Sequence, residues 1–176
     1  MAGNYIGPLP KFLAGVNEPL PDYWAWELRG RVKARVGHLI PRKKVEIERA
    51  VRLLRIYFIN RRRRAPKRGM LHQIMLVGPY ARPGEHPDRE TGDLNEYELW
   101  AFVDHDAYKG KRRYWGRAQQ EIVRELHGRA KIILSVFTLG EMGRIRAAGN
   151  RFLTGLYDGG VVLYDRALDR PFEENA

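Results

Sequence analysis

Two short stretches of this chain carry residue types able to handle a phosphate. The first is Gly78-Pro79-Tyr80-Ala81-Arg82, which follows an apolar run ending at Val77. A glycine turn between a strand and a short helix start aims backbone N–H groups at a sheet edge, where an anion can sit. Gly78, Pro79, Tyr80 and Arg82 are thus the candidate nucleotide-binding residues. The second stretch is Asn95-Glu96-Tyr97-Glu98-Leu99. Alternate side chains of a strand share a face, so Glu96 and Glu98 point the same way. Neighbouring carboxylates repel unless a cation or water separates them, and Mg²⁺ prefers oxygen ligands. Glu96 and Glu98 are therefore the candidate metal ligands and catalytic residues. Each stretch has a plainer alternative: a structural turn, and two solvated acids on a strand's outer face.

A third stretch is a basic tract. Arg61, Arg62, Arg63, Arg64, Lys67 and Arg68 make six of eight consecutive residues cationic. Such a tract suits the phosphate backbone of nucleic acid, bound without sequence preference and with strong salt dependence. It equally suits a solvated helix face, since basic side chains complement a helix C-terminus. The five histidines show no metal-ligand spacing, and Asp104-His105-Asp106 reads as the polar end of a strand. Trp24, Trp26 and Trp115 read as packing residues rather than base-stacking platforms.

The elements that must position these groups follow from periodicity. Residues 1–21 carry prolines at 8, 10, 19 and 21 and predict an irregular arm. Asp22 is placed to cap a short helix reaching about Val36. Pro41 opens a stronger helix over Arg42–Asn60, because Ile47, Val51, Leu54 and Phe58 recur at helical spacing. Arg49, Arg52 and Arg55 fall off that stripe. MLHQIMLVG predicts a strand, 83–95 a loop, and YELWAFVDH a second strand. Tyr114–His127 reads as a helix and Ala130–Phe137 as a third strand. Leu139–Tyr157 reads as helix broken near Gly149, and VVLYD as a last strand. The expected fold is α/β (α+β), a small mixed sheet with helices packed on it. Residues 1–41 form an arm and short helix, and 42–176 the body.

Composition bounds the partners. The chain has 176 residues, 44% of them hydrophobic, enough for one packed domain. Its net charge of +11 favours polyanions. With no cysteine, disulfides and thiolate metal sites are excluded. The N-terminus lacks a basic segment followed by an apolar one, and no apolar run approaches the ~20 residues needed to span a bilayer. A cytoplasmic protein with no membrane partner is expected.

Taken together, the glycine turn, the acid-x-acid strand and the closing segment 137–165 resemble the minimal nucleotidyltransferases of the DNA polymerase beta superfamily. Their pattern is a strand ending in Gly-Ser, often continued Tyr-Ala-Arg-Gly, then Ser-Asp-Tyr-Asp-Leu-Leu-Val, and later a strand reading roughly Gly-x-x-Leu-Tyr. Here Gly78-Pro79-Tyr80-Ala81-Arg82-Pro83, Asn95-Glu96-Tyr97-Glu98-Leu99-Trp100 and Gly160-Val161-Val162-Leu163-Tyr164 stand at those places. The likeness spans about residues 43–165. It implies that the Gly78 turn holds the phosphates of a nucleoside triphosphate (NTP), and that Glu96 and Glu98 hold Mg²⁺ or Mn²⁺. It also implies in-line transfer of a nucleoside monophosphate to an RNA or protein acceptor. Many minimal members pair with a small helical protein in toxin–antitoxin modules, which makes such a partner an expectation here.

This chain departs from that pattern in three places. Pro79 stands for the serine, which removes a hydroxyl and a backbone N–H, although proline suits the first position of a helix. Both aspartates are glutamates, each one methylene longer, where a near-octahedral ion tolerates little change. No acid occurs in 130–137, and the third carboxylate of the family would fall near Ile133. The departures leave two functions open: transfer with reduced or lost activity, or a catalytically inactive module. The latter would bind nucleic acid or a partner protein through its basic tract.

Overall fold

The computed structural model describes residues 31–64, 71–84, 95–104 and 112–168. The arm over 1–21, Trp24, Trp26, Lys67, Arg68, His105 and most of the expected 83–95 loop lie outside the described residues.

Helix α1 (Pro41–Arg64) is followed by β1 (Leu71–Val77), a 3-10 turn over Pro79–Ala81, and β2 (Asn95–Val103). Next come α2 (Arg112–Glu125), β3 (Ala130–Thr138), α3 (Leu139–Ala147), α4 (Arg151–Asp158) and β4 (Val161–Asp165). The four strands form one mixed sheet in the order β3-β2-β1-β4. β1 runs antiparallel to both β2 and β4, whereas β3 runs parallel to β2, joined to it across α2. The expected α/β fold is thus present. No helix among the described residues is long and apolar enough to cross a membrane.

Each face of the sheet carries its own core. On one face Ile74, Leu76, Leu99, Ala101 and Ile132 pack against Ile47, Val51 and Leu54 of α1 and Ala118 and Ile122 of α2. This is the face that the α1 stripe predicts. Val32, Val36 and Leu39 join the same core, and Arg35 Nη1 donates to the Leu163 carbonyl at 2.9 Å. Residues 31–39 therefore pack as part of the body. Trp115 is buried and stacks on Phe58 with ring centroids 6.4 Å apart. On the opposite face Met75, Val77, Trp100, Phe102 and Met142 form a smaller cluster beneath α3 and α4.

Local signals explain the ends of these helices. Thr138 and Glu141 form a reciprocal capping box at the start of α3. Gly149, with φ of 72°, breaks the chain before α4, and the Asn150 side chain accepts from the Leu153 N–H. One expectation needs correction. The basic tract does not end α1 at Asn60, because the helix continues through Arg64. Arginine is a good helix former and suits the negative end of the dipole. Arg55, which falls off the α1 stripe, is covered all the same. It is buried with its guanidinium 4.3 Å from the centre of the Tyr164 ring, the planar cation lying against an aromatic face.

Candidate functional site

Strand directions gather the candidate residues at one end of the sheet. Val77, the last residue of β1, pairs with Glu98 near the start of β2. Because β3 is parallel to β2, its first residues lie at the same end, with Lys131 beside Glu96 and Ile133 beside Glu98. β4 is antiparallel to β1, so its start beside Leu76 brings Gly159 and Gly160 there as well.

The Gly78 turn has the shape expected of it. Gly78 adopts φ 75° and ψ −158°, a conformation essentially reserved for glycine. A Cβ placed on Gly78 would lie 3.6 Å from Glu98 Oε2, so this carboxylate sits directly against the turn. Pro79 is the first residue of the 3-10 turn, where its fixed φ and missing N–H are tolerated. The Ala81 and Arg82 N–H groups donate to the Gly78 and Pro79 carbonyls at 3.1 and 3.3 Å. With no hydrogen on the Pro79 nitrogen, three of the four backbone nitrogens at 79–82 are withdrawn from anion binding. The turn keeps its geometry and loses donors.

Tyr80 and Arg82 leave the turn in different directions. The Tyr80 ring is buried in the core beneath α1, edge-on to Tyr97 at 4.9 Å between centroids, with Lys43 Nζ 5.0 Å from its centre. His38 Nε2 lies 2.9 Å from the Tyr80 carbonyl oxygen. Tyr80 thus anchors the turn and does not line an open pocket. Arg82 is exposed and reaches across to the end of α4. Its Nη2 and Nε would lie 2.8 and 2.9 Å from a Cβ on Gly159, so that glycine makes room for the guanidinium.

The glutamate pair shares a face, as alternation requires, but its carboxylates are engaged separately. Glu96 Oε2 accepts from Lys131 Nζ at 2.8 Å, both side chains about half exposed. Glu98 Oε1 accepts from the Trp100 indole N–H at 3.0 Å. Trp100 is 1% exposed and held among Phe102 and Phe137, so this donor is fixed by the core. One carboxylate is drawn sideways to β3 and the other along β2. Ile133, at the place of a third acid, is aliphatic. The donor set is a poor fit to a divalent ion, since an ammonium already contacts one of the two acids and would stand against a dication there. Among the described residues no group of three or more His, Cys, Asp or Glu side chains could hold a metal.

Sequence reasoning missed a polar cluster on the other face. Glu46 is buried, accepts from the Tyr97 hydroxyl at 2.6 Å, and pairs with Arg42 at 3.0 Å. Burial pushes the Tyr97 phenol well above its ordinary range, and the hydrogen bond to Glu46 and that carboxylate's charge add to the effect. Tyr97 is therefore a permanent donor that ties β2 to α1. The only sequence trace of the cluster is Glu46, an acid directly beside Ile47 of the α1 stripe.

The basic tract lies elsewhere. α1 begins beside Tyr80 and runs 24 residues to Arg64. At ~1.5 Å per residue that is ~36 Å. The backbone of Arg61–Arg64 is thus at the far end of the helix from the Gly78 turn, while Arg42, Lys43 and Lys44 stand near it.

Compared with known proteins, the chain matches no family model, no curated protein and no solved structure.

Proposed function

We propose that this protein is a nucleotidyltransferase-like module whose metal-dependent transfer has been lost and which binds nucleic acid through the basic end of α1. One observation carries the first half of this reading. Lys131 contacts Glu96 at 2.8 Å where the family pattern calls for a divalent ion shared by two acids. The net charge of +11 and the four consecutive arginines closing α1 support the second half. RNA is the favoured partner, because RNA is an expected acceptor for this family, and a scaffold that lost transfer can keep its acceptor.

The chain's own residues then have structural tasks. Gly78 sets the turn, Tyr80 anchors it on Tyr97 and Lys43, and Arg82 closes it over Gly159. Fluorescence anisotropy with a single-stranded RNA tests the proposal. Each phosphate contact contributes about 0.7 to the slope of log K against log salt. Replacing Arg61, Arg62, Arg63 and Arg64 by alanine should therefore flatten the slope by about 3 (four contacts at about 0.7). Binding that ignores salt, or a tract variant that binds as wild type does, would refute the proposal.

A second reading, retained nucleotidyl transfer from an NTP with Mg²⁺ or Mn²⁺ to an RNA or protein acceptor, rests on Glu98 lying against the Gly78 turn. Label transfer abolished by Glu96→Gln and Glu98→Gln would sustain it.

A further inference from the structure

We propose that Lys131 is the resident counter-cation of the glutamate pair, an ammonium built into β3 that excludes divalent ions from the Gly78 end of the sheet. This rests on reading the turn and the glutamates as a nucleotidyltransferase-like site, and it identifies the residue that closes that site to metal.

Register supplies the first argument. β2 and β3 are parallel neighbours, and the residues beside Glu96 and Glu98 are Lys131 and Ile133. The adjoining strand therefore offers the acids one cation and one aliphatic side chain. Alternation puts Lys131, Ile133, Ser135 and Phe137 on a common face. Phe137 packs in the cluster beneath α3 and α4, so this is the face on which Trp100 meets Glu98.

Charge supplies the second argument. Adjacent strands are ~4.8 Å apart, which sets Lys131 directly beside Glu96, and its Nζ lies 2.8 Å from Glu96 Oε2. A dication held between the two carboxylates would face that ammonium at short range, and like charges there oppose its binding. Glu98 cannot compensate by turning freely, since its Oε1 accepts from a tryptophan locked in the core. The ammonium also relieves the repulsion between the two acids, the task otherwise left to a metal or to water. The Lys131–Glu96 pair is about half exposed, so an added ion can reach it and compete. Exclusion here is electrostatic rather than a matter of access.

Mn²⁺ titration of the full chain without nucleotide, followed by electron paramagnetic resonance, tests this. Lys131→Met should bind Mn²⁺ at least roughly tenfold more tightly than wild type, because the competing charge is gone. Lys131→Glu, which places a third carboxylate beside Glu96, should bind more tightly still, and adding Glu98→Gln to it should reverse the gain. Lys131→Arg should behave as wild type. Circular dichroism and thermal midpoints confirm that each variant is folded, and Lys131→Met and Lys131→Glu provide independent routes to the answer. Equal affinity of wild type and Lys131→Met, or a Lys131→Glu gain that survives Glu98→Gln, would overturn the proposal. RNA binding by the α1 tract is measured separately, so failure of either reading is recognisable on its own.

Discussion

The two faces of the sheet are built to different standards. Beneath α1 and α2 the packing is closed, with Ile47, Val51, Ile74, Leu99, Ile122 and Ile132 all inaccessible to solvent. Its buried Glu46 is tied in place by Tyr97 and Arg42. Among the described residues, the other face is covered by α3 and α4. Past Trp100 it opens into Glu98, Glu96 and Lys131, at the end where the Gly78 turn protrudes. The two faces share a backbone but hold separate clusters of side chains, so substitutions on one can be made without repacking the other. Pro79, Glu96, Glu98 and Ile133, where the sequence departs from the pattern it resembles, all lie at the Gly78 end together with Lys131.

Substitutions on each face should separate the two by the stability they cost. The largest effect is expected on the closed face, where Leu99→Ala should lower the unfolding free energy by about 2–5 kcal/mol through lost contacts and an unfilled cavity. A shift of the denaturation midpoint worth less than about 1 kcal/mol would mean that this face is not the better packed one.

Next comes Tyr97→Phe, which removes a donor to a buried carboxylate and should cost about 1.5–3 kcal/mol. This variant also reports on pH. Burial raises the Tyr97 phenol in the folded state above its ordinary value of 10.0, so the folded chain keeps a proton that the unfolded chain releases. That contribution to stability is complete below pH 10 and declines as pH rises beyond it. Tyr57, whose phenol is also raised by burial, acts in the same direction. Wild type should lose thermal stability on the alkaline side, and Tyr97→Phe should lose it less steeply. Parallel profiles would show that the folded chain does not hold the Tyr97 proton above the phenol's ordinary range.

Gly78→Ala is expected to cost about 1–3 kcal/mol through its backbone conformation, with the new methyl in ordinary contact with Glu98. Glu96→Gln belongs at the bottom, within about 0.5 kcal/mol of wild type, because a half-exposed ion pair contributes little to stability. A loss of 2 kcal/mol or more there, well above the usual range for exposed pairs, would move Glu96 from the open end into the structural core.

The closed face was legible in the sequence for a physical reason. Ile47, Val51, Leu54 and Phe58 repeat at the helical period, and Tyr97, Leu99, Ala101 and Val103 alternate at the strand period, so burial imposes a visible pattern. The break at Gly149 and the shared face of Glu96 and Glu98 follow from equally local rules. Thr138 and Glu141 had the spacing of a capping box and could have been read the same way. The partners of the site could not. That Lys131 stands beside Glu96 depends on β3 being parallel to β2 in one register, and neither choice is written within the strands themselves. The Trp100 bond to Glu98 arises from residues two apart on one strand, yet Trp100 also reads as plain core. Glu46 gave no warning of its bond to Tyr97, 51 residues away. The distance between the basic tract and the Gly78 turn became measurable only once α1 was seen to run without interruption between them.

On the proposed reading, the scaffold of a nucleotidyltransferase-like site persists here without its metal chemistry. The most direct test is to incubate the purified chain with labelled nucleoside triphosphates, Mg²⁺ or Mn²⁺, and candidate RNA and protein acceptors. No label should be transferred by wild type. Transfer by wild type that disappears in the Glu96→Gln, Glu98→Gln double variant would show that the glutamates still support metal-dependent chemistry.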